Sequence, residues 1–230
     1  MTDKNIVDSF LASDTSAEIE KIEDEILAPL LDELGRIEDY KIRYFTRAML
    51  LRASDFWVAK SSHRHEFYPP DEMLEGGLVL HTKRVFRVVE IISAIYGLDT
   101  HESDKLKSAA LIHDITKMNF NEHLDIEVYD YMHPYTIDAF YSAIKHDDEL
   151  NSNHNQSNTL LLDDTTIEHI LSAARSHKGV QSPIPETIPA KDSTKMLLHV
   201  ANEIAKALHY FIDGEDVVLE RWLTTNGEPA

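Results

Sequence analysis

GGLVLHTKRVFRVVEIISAIYG, Gly76–Gly97, decides the fold. Leu78, His81, Val85, Val88, Ile92 and Ile95 recur at three- and four-residue intervals, the stripe of a helix with one buried face. The pattern predicts a helix that opens near Gly76-Gly77, runs to about Tyr96 and stops at Gly97. One histidine, His81, lies inside the apolar stripe. Outward from this segment the same periodicity returns. Ser16 to about Leu34 carries Ile19, Ile22, Ile26, Leu30 and Leu34 on one face, with a kink expected at Pro29 and a stop at Gly35. Further helices are predicted over about Asp39–Ala53, Ser103–Lys117, Pro134–Glu149, Thr165–His177 and Asp192–Ile212. Glu66–Glu75 reads as a loop around Tyr68-Pro69-Pro70, and Asn121–Asp130 carries no clear pattern. Asn151–Asn158 and the proline-bearing Val180–Ala190 read as surface connections or lids. With 7 glycines, 8 prolines and almost no strand signal, the chain is predicted to be all-α. Its organisation reads as an N-terminal helical extension over 1–54, a helical domain over 55–212 and a C-terminal tail over 213–230.

Composition narrows the function. The 230 residues, 43% hydrophobic and 27% charged, suffice for one buried core. The absence of cysteine excludes a disulfide scaffold, an iron–sulfur site and any thiolate-bound zinc. Lys and Arg number 22 against 41 Asp and Glu, giving a net charge of −19, which repels nucleic-acid backbones and argues against non-specific binding to them. MTDKNIVDSF contains no apolar core of a secretory signal, and no apolar run is long enough to span a bilayer. A cytoplasmic protein without membrane association is expected.

The 13 histidines are the compositional oddity. A lone histidine on an apolar face is most simply a satisfied core residue. Here His113 follows Leu106, Ala109 and Ala110; His133 leads into Ile137, Phe140, Tyr141 and Ile144; His177 follows Ile167, Ile170, Leu171 and Ala174. With His81, four predicted helices each bring one histidine from an apolar stripe, each near a helix end. Every buried imidazole needs partners or costs about 1–3 kcal/mol, and one metal centre would satisfy all four. Asp114, beside His113 at a helix end, could reach the same ion and has two oxygens with which to bridge two. A nitrogen and oxygen ligand set of this kind suits Mn, Fe, Mg, Co, Ni or Zn, as one or two divalent ions. His101, His123 and His154 have polar surroundings, while His146, His169, His199 and His209 lie off the clean stripes.

Taken together, GGLVLHTKRV at Gly76–Val85, ALIHDITK at Ala110–Lys117, MHP at Met132–Pro134, SHKG at Ser176–Gly179 and LLHVANEIA at Leu197–Ala205 resemble the HD-domain superfamily of metal-dependent phosphohydrolases. Asp55–Thr82 is also similar to the segment before the first ligand in HD proteins akin to a bacterial 3′→5′ exoribonuclease, and to uncharacterised HD hydrolases. The resemblance spans about Asp55–Ile212. It implies one ion held by His81, His113, Asp114 and a closing residue, and a second held by Asp114, His133 and His177. The closing position carries Asn202 where the family has Asp, so the site has one negative charge fewer.

The resemblance implies hydrolysis of a phosphomonoester or phosphodiester, with a small phosphorylated or nucleotide-like substrate and Asp114 and Lys117 at the reacting centre. Lys117 resembles the family lysine that faces the substrate phosphate. Lys178, Arg84 and Lys83 are further candidate cations, and His63 and His65 precede the Gly-Gly turn where related proteins carry pocket histidines. Two rivals share the ligand set: an HD-type di-iron oxygenase, and a catalytically degenerate HD protein that binds a nucleotide or a protein partner as a regulator. No Gly-rich phosphate loop marks the substrate, and the oligomeric state has no signature in the sequence.

Overall fold

The computed structural model describes residues 20–61, 68–117, 135–146, 162–179 and 194–211, with side chains to residue 207 in the last segment. Among the described residues the chain is helix and turn throughout, without a strand, so the fold is all-α. In chain order the helices are α1 (20–27), α2 (Leu31–Gly35), α3 (Tyr40–Leu51), α4 (Gly77–Ile95), α5 (Thr100–Ile112), α6 (135–146), α7 (Asp164–Arg175) and α8 (Thr194–Phe211). The regions expected as surface connections, Asn151–Asn158 and Val180–Ala190, lie outside the described residues, as do Asn121–Asp130 and the tail from 213 on.

Side-chain caps set several starts. Asp39 accepts from the amides of Lys41 and Ile42, Asp99 from that of Glu102, and Asp163 from that of Thr166. Asp99 thus starts α5 at Thr100, three residues before the expected Ser103. At the other end of α4, Gly97 adopts φ 64 and the amide of Leu98 reaches the carbonyl of Ser93, the six-residue closure of a left-handed stop. Gly35, expected to stop its helix in the same way, does not have a positive φ. Pro29 converts the first helix into a 3-10 turn over Ala28–Leu30, and the buried face shifts with it. Leu27, Leu30 and Leu34 are buried, whereas Ile22 and Ile26, placed on that face by periodicity, are exposed. Ile95, the end of the stripe on α4, is also exposed.

Helix α4 is central. It packs against α5 and α8, α5 packs against α3 and α7, and α7 against α8. Phe45, Phe86, Leu78, Leu106, Leu111, Ile170 and Leu198 fill the interior between them. Burying each such side chain contributes about 1.5–3 kcal/mol. Helix α6 joins the bundle through Ile137 and Ile144, an edge-on contact between Tyr141 and Phe45, and an Arg175–Asp138 ion pair of 2.6 Å. No helix among the described residues is long and apolar enough to cross a membrane.

Candidate metal centre

The stripe of α4 carries His81 into the interior, and the ends of α5 and α7 bring two more imidazoles to it. Helix α5 ends at Ile112, not at Lys117, so His113 is its capping residue and Asp114 lies in the turn beyond. Helix α7 likewise ends at Arg175, leaving His177 in the following turn. The two ends are built alike. His113 Nδ1 donates to the carbonyl of Ala110 at 2.7 Å and His177 Nδ1 to that of Ala174 at 2.8 Å, each using a carbonyl of the last helical turn. A neutral imidazole that donates from Nδ1 presents a bare lone pair at Nε2. Both Nε2 atoms turn to Asp114: His113 Nε2 is 3.4 Å from Oδ2 and His177 Nε2 is 3.5 Å from Oδ1. The ring centroids are 4.9 Å apart, and the His81 ring lies 5.6 Å from that of His113.

His81 reaches the same centre from α4. Its Nδ1 lies 3.1 Å from Oε2 of Glu72, and its Nε2 lies 3.0 Å from Oδ1 of Asn202 on α8. Burial holds the His81 pKa below the usual value, against the pull of Glu72, so the ring is neutral at physiological pH and its one proton belongs on Nδ1. His81 and His113 are fully buried, and Asp114, His177 and Asn202 are nearly so.

The donor set is short of protons. Among the described residues His113 Nε2 is buried without a hydrogen bond, facing a carboxylate oxygen that accepts from Lys117. His81 Nε2 faces an amide oxygen. Turning the Asn202 amide would repair the second contact, but no rotation supplies a proton to the first. A cation answers both. Neighbouring ligands of an ion with bonds of ~2.1 Å stand about 3.0–3.4 Å apart, the spacing of His81 Nε2 from Asn202 Oδ1 at 3.0 Å and of His113 Nε2 from Asp114 Oδ2 at 3.4 Å. Ligating atoms of His81, His113 and Asp114 all fall within 4.8 Å of one another. These three buried side chains form a group that could hold a metal ion.

The other expected residues divide clearly. Lys117 is at the centre, its Nζ 3.1 Å from Asp114 Oδ2 and 5.7 Å from the centroid of the Tyr68 ring. Lys178 follows His177 in the turn beyond α7. Arg84 points the other way, into Asp71 at 2.6 Å and Glu72 at 2.5 Å, behind His81. Burial alone would lower its pKa; the hydrogen bonds to both carboxylates outweigh this and push it up. Lys83 lies toward Glu33 at 3.7 Å. His133, His65 and His63 lie outside the described residues.

Four residues at the centre escaped the sequence reading. Glu72 is wholly buried in a 3-10 turn, Pro70–Met73, inside what read as a loop. Tyr68 packs edge-on over His81, 5.3 Å between centroids, and carries Lys206 of α8 at 5.9 Å as well as Lys117. Lys206 lies one turn after Asn202, and that spacing was the only signal for it. His199 donates from Nδ1 to the carbonyl of His177 at 3.0 Å and so fixes the turn that carries this ligand candidate. No known family model, no curated protein and no solved structure matches the chain.

Proposed function

We propose that this protein is a metal-dependent phosphohydrolase of the HD type, acting on a small phosphorylated or nucleotide-like substrate. One observation carries the reading: among the described residues two imidazoles, each with Nδ1 on a helix-end carbonyl, turn Nε2 to the two oxygens of one buried carboxylate, and Nε2 of His113 makes no hydrogen bond there. The residues belong to GGLVLH, HD and SHKG, the blocks that resemble the family, and they come from separate helices as that resemblance requires. Asp114 offers one oxygen toward His113 and the other toward His177, the disposition of a carboxylate shared by two ions. His81, His113, Asp114 and Asn202 would hold the first ion, and Asp114, His177 and His133 the second. A divalent ion supplies Lewis acidity toward a phosphoryl oxygen and acidifies a water toward neutral pKa.

The chain's own contribution is charge and orientation. The surface is acidic overall, yet Lys117 and Lys206 both approach the Tyr68 ring beside the centre. Two ammonium groups there favour an anionic group at the site against the long-range field. Lys117, held on Asp114 Oδ2, can transfer its hydrogen bond to a phosphoryl oxygen as charge builds on it. Neutral Asn202 gives weight to a second reading, a binder that keeps the fold and the ligand without turnover.

The deciding experiment measures the metal content of protein prepared without chelators, then hydrolysis of bis(4-nitrophenyl) phosphate with added Mn²⁺. The proposal expects stoichiometric metal and hydrolysis, both lost in Asp114→Asn. Metal without hydrolysis favours the binder. Full metal content in Asp114→Asn would refute the ligand assignment.

A further inference from the structure

Behind His81 lies a buried acid that the proposed ligand set does not use. Glu72 is fully buried, with one oxygen on His81 Nδ1 and the other on Arg84 Nη1. Backbone contacts fix its place. Gly76 takes φ 75 and bonds its amide to the carbonyl of Val58; Gly77 lies so close under the Glu72 carbonyl that a Cβ would come within 2.0 Å of the oxygen. The Glu72 carbonyl accepts from the amide of Ser61 at 3.0 Å, and the Ser61 hydroxyl donates to the carbonyl of Gly77 at 2.8 Å. The Gly-Gly pair thus has a purpose beyond opening α4: it lets the turn carrying Glu72 close onto the start of the helix, one turn from His81.

The charges in this corner do not cancel. Arg84 is shared between the half-exposed Asp71 and the buried Glu72, so two carboxylates face one guanidinium, and the second oxygen of Glu72 lies on the imidazole. On the opposite face of the same ring, Asn202 is neutral. We propose that Glu72 supplies the negative charge that Asn202 does not: acting through the Nδ1–H of His81 it strengthens Nε2 as a donor and sets the cation affinity of the centre. Glu72 is a positioning residue, since it touches the ligand and not the ion. Carboxylate–imidazole–metal relays of this kind fix the tautomer and increase ligand basicity. The inference rests on the cation reading above, and its test separates the two.

Mn²⁺ is titrated by calorimetry into the full chain and into Glu72→Gln, Arg84→Gln and Glu72→Gln/Asn202→Asp, with thermal melts of the metal-free proteins alongside. The substituted amide can still accept from His81 but carries no charge, so Glu72→Gln is expected to weaken Mn²⁺ binding roughly 10–100-fold. Arg84→Gln removes the guanidinium that offsets Glu72 and is expected to tighten binding. Asn202→Asp on the Glu72→Gln background is expected to restore most of the loss. A merely structural corner would weaken binding in both single variants, so the opposite signs are the signature. Unchanged affinity in Glu72→Gln, or weaker binding in Arg84→Gln, overturns the proposal while leaving the cation site standing. Absence of Mn²⁺ binding by the unmodified chain overturns both. Should Glu72→Gln fail to fold, the sign of the Arg84→Gln change decides alone.

Discussion

Two glycines of this chain behave oppositely, and a methyl group added to each measures the difference. At Gly77 the new Cβ would sit 2.0 Å from the carbonyl oxygen and 2.4 Å from the carbonyl carbon of Glu72, backbone that cannot rotate aside. Gly77→Ala is expected to destabilise the protein by about 2–3 kcal/mol in urea unfolding, the cost of overpacking a closed contact. At Gly35 nothing stands within 4 Å and φ is not positive. Gly35→Ala is expected to stabilise the fold by up to ~1 kcal/mol, because alanine loses less backbone entropy in a helix. Asn202 gives a third case. It is buried beside His81, so Asn202→Asp adds a further carboxylate to a buried corner that already holds Glu72 and Asp114. The metal-free variant is expected to melt below the unmodified protein, by about 1–3 kcal/mol of stability, and to bind Mn²⁺ more tightly. Equal affinity in the two proteins would put Asn202 outside the ligand shell.

Among the elements, α7 and α8 are joined at a point where pH acts. His169 of α7 lies 3.1 Å from the hydroxyl of Thr194 at the start of α8, with Glu102 at 3.9 Å. Burial, with Lys105 nearby, holds its pKa below the usual 6.5, while Glu102 pulls the other way. The unfolded chain therefore binds a proton more readily than the folded one as pH falls through that value, and stability falls with it. The melting temperature is expected to drop from about pH 7.5 to about pH 5.5, and His169→Gln to lose part of that slope. An identical slope in the variant would remove His169 from the account. The same elements show what was legible in the sequence. Periodicity located α4, α5, α7 and α8 because their buried faces are continuous, and it put His81, His113 and His177 at the inner ends of those stripes. It misjudged where α5 and α7 stop, since His113 and His177 bond the last-turn carbonyls themselves; no glycine or proline marks the end of α5, and the left-handed Gly179 comes only after the turn that ends α7. It misplaced Ile22 and Ile26 because the 3-10 turn at Pro29 shifts the helical phase. Glu72 was invisible: a buried acid in a four-residue turn has no period, and only the tertiary contact with His81 and Arg84 gives it meaning.

At the scale of the whole molecule, four helices deliver side chains to one buried point, so the centre and the fold should be stable or unstable together. His81 comes from α4, His113 and Asp114 from the end of α5, His177 from the end of α7 and Asn202 from α8. Ions held there, joined through Asp114, would link α4, α5, α7 and α8 and would have no such site in the unfolded chain. Mass action then stabilises the native state by about 2.7 kcal/mol when free metal is 100 times its dissociation constant. The net charge of −19 supplies a competing effect that has to be separated. Any salt screens the self-repulsion of so acidic a chain and raises its melting temperature without a specific site. The two differ in concentration dependence and in their response to mutation. Screening needs salt in the range of about 0.1 M and acts equally on all variants. Site binding saturates near its dissociation constant and requires Asp114. At matched ionic strength, Mn²⁺ is expected to raise the melting temperature of the unmodified protein well above the shift given by NaCl. EDTA should reverse the gain, and Asp114→Asn should retain only the NaCl response. A Mn²⁺ shift of equal size in Asp114→Asn would mean that the ion acts on the acidic surface and not at the buried centre.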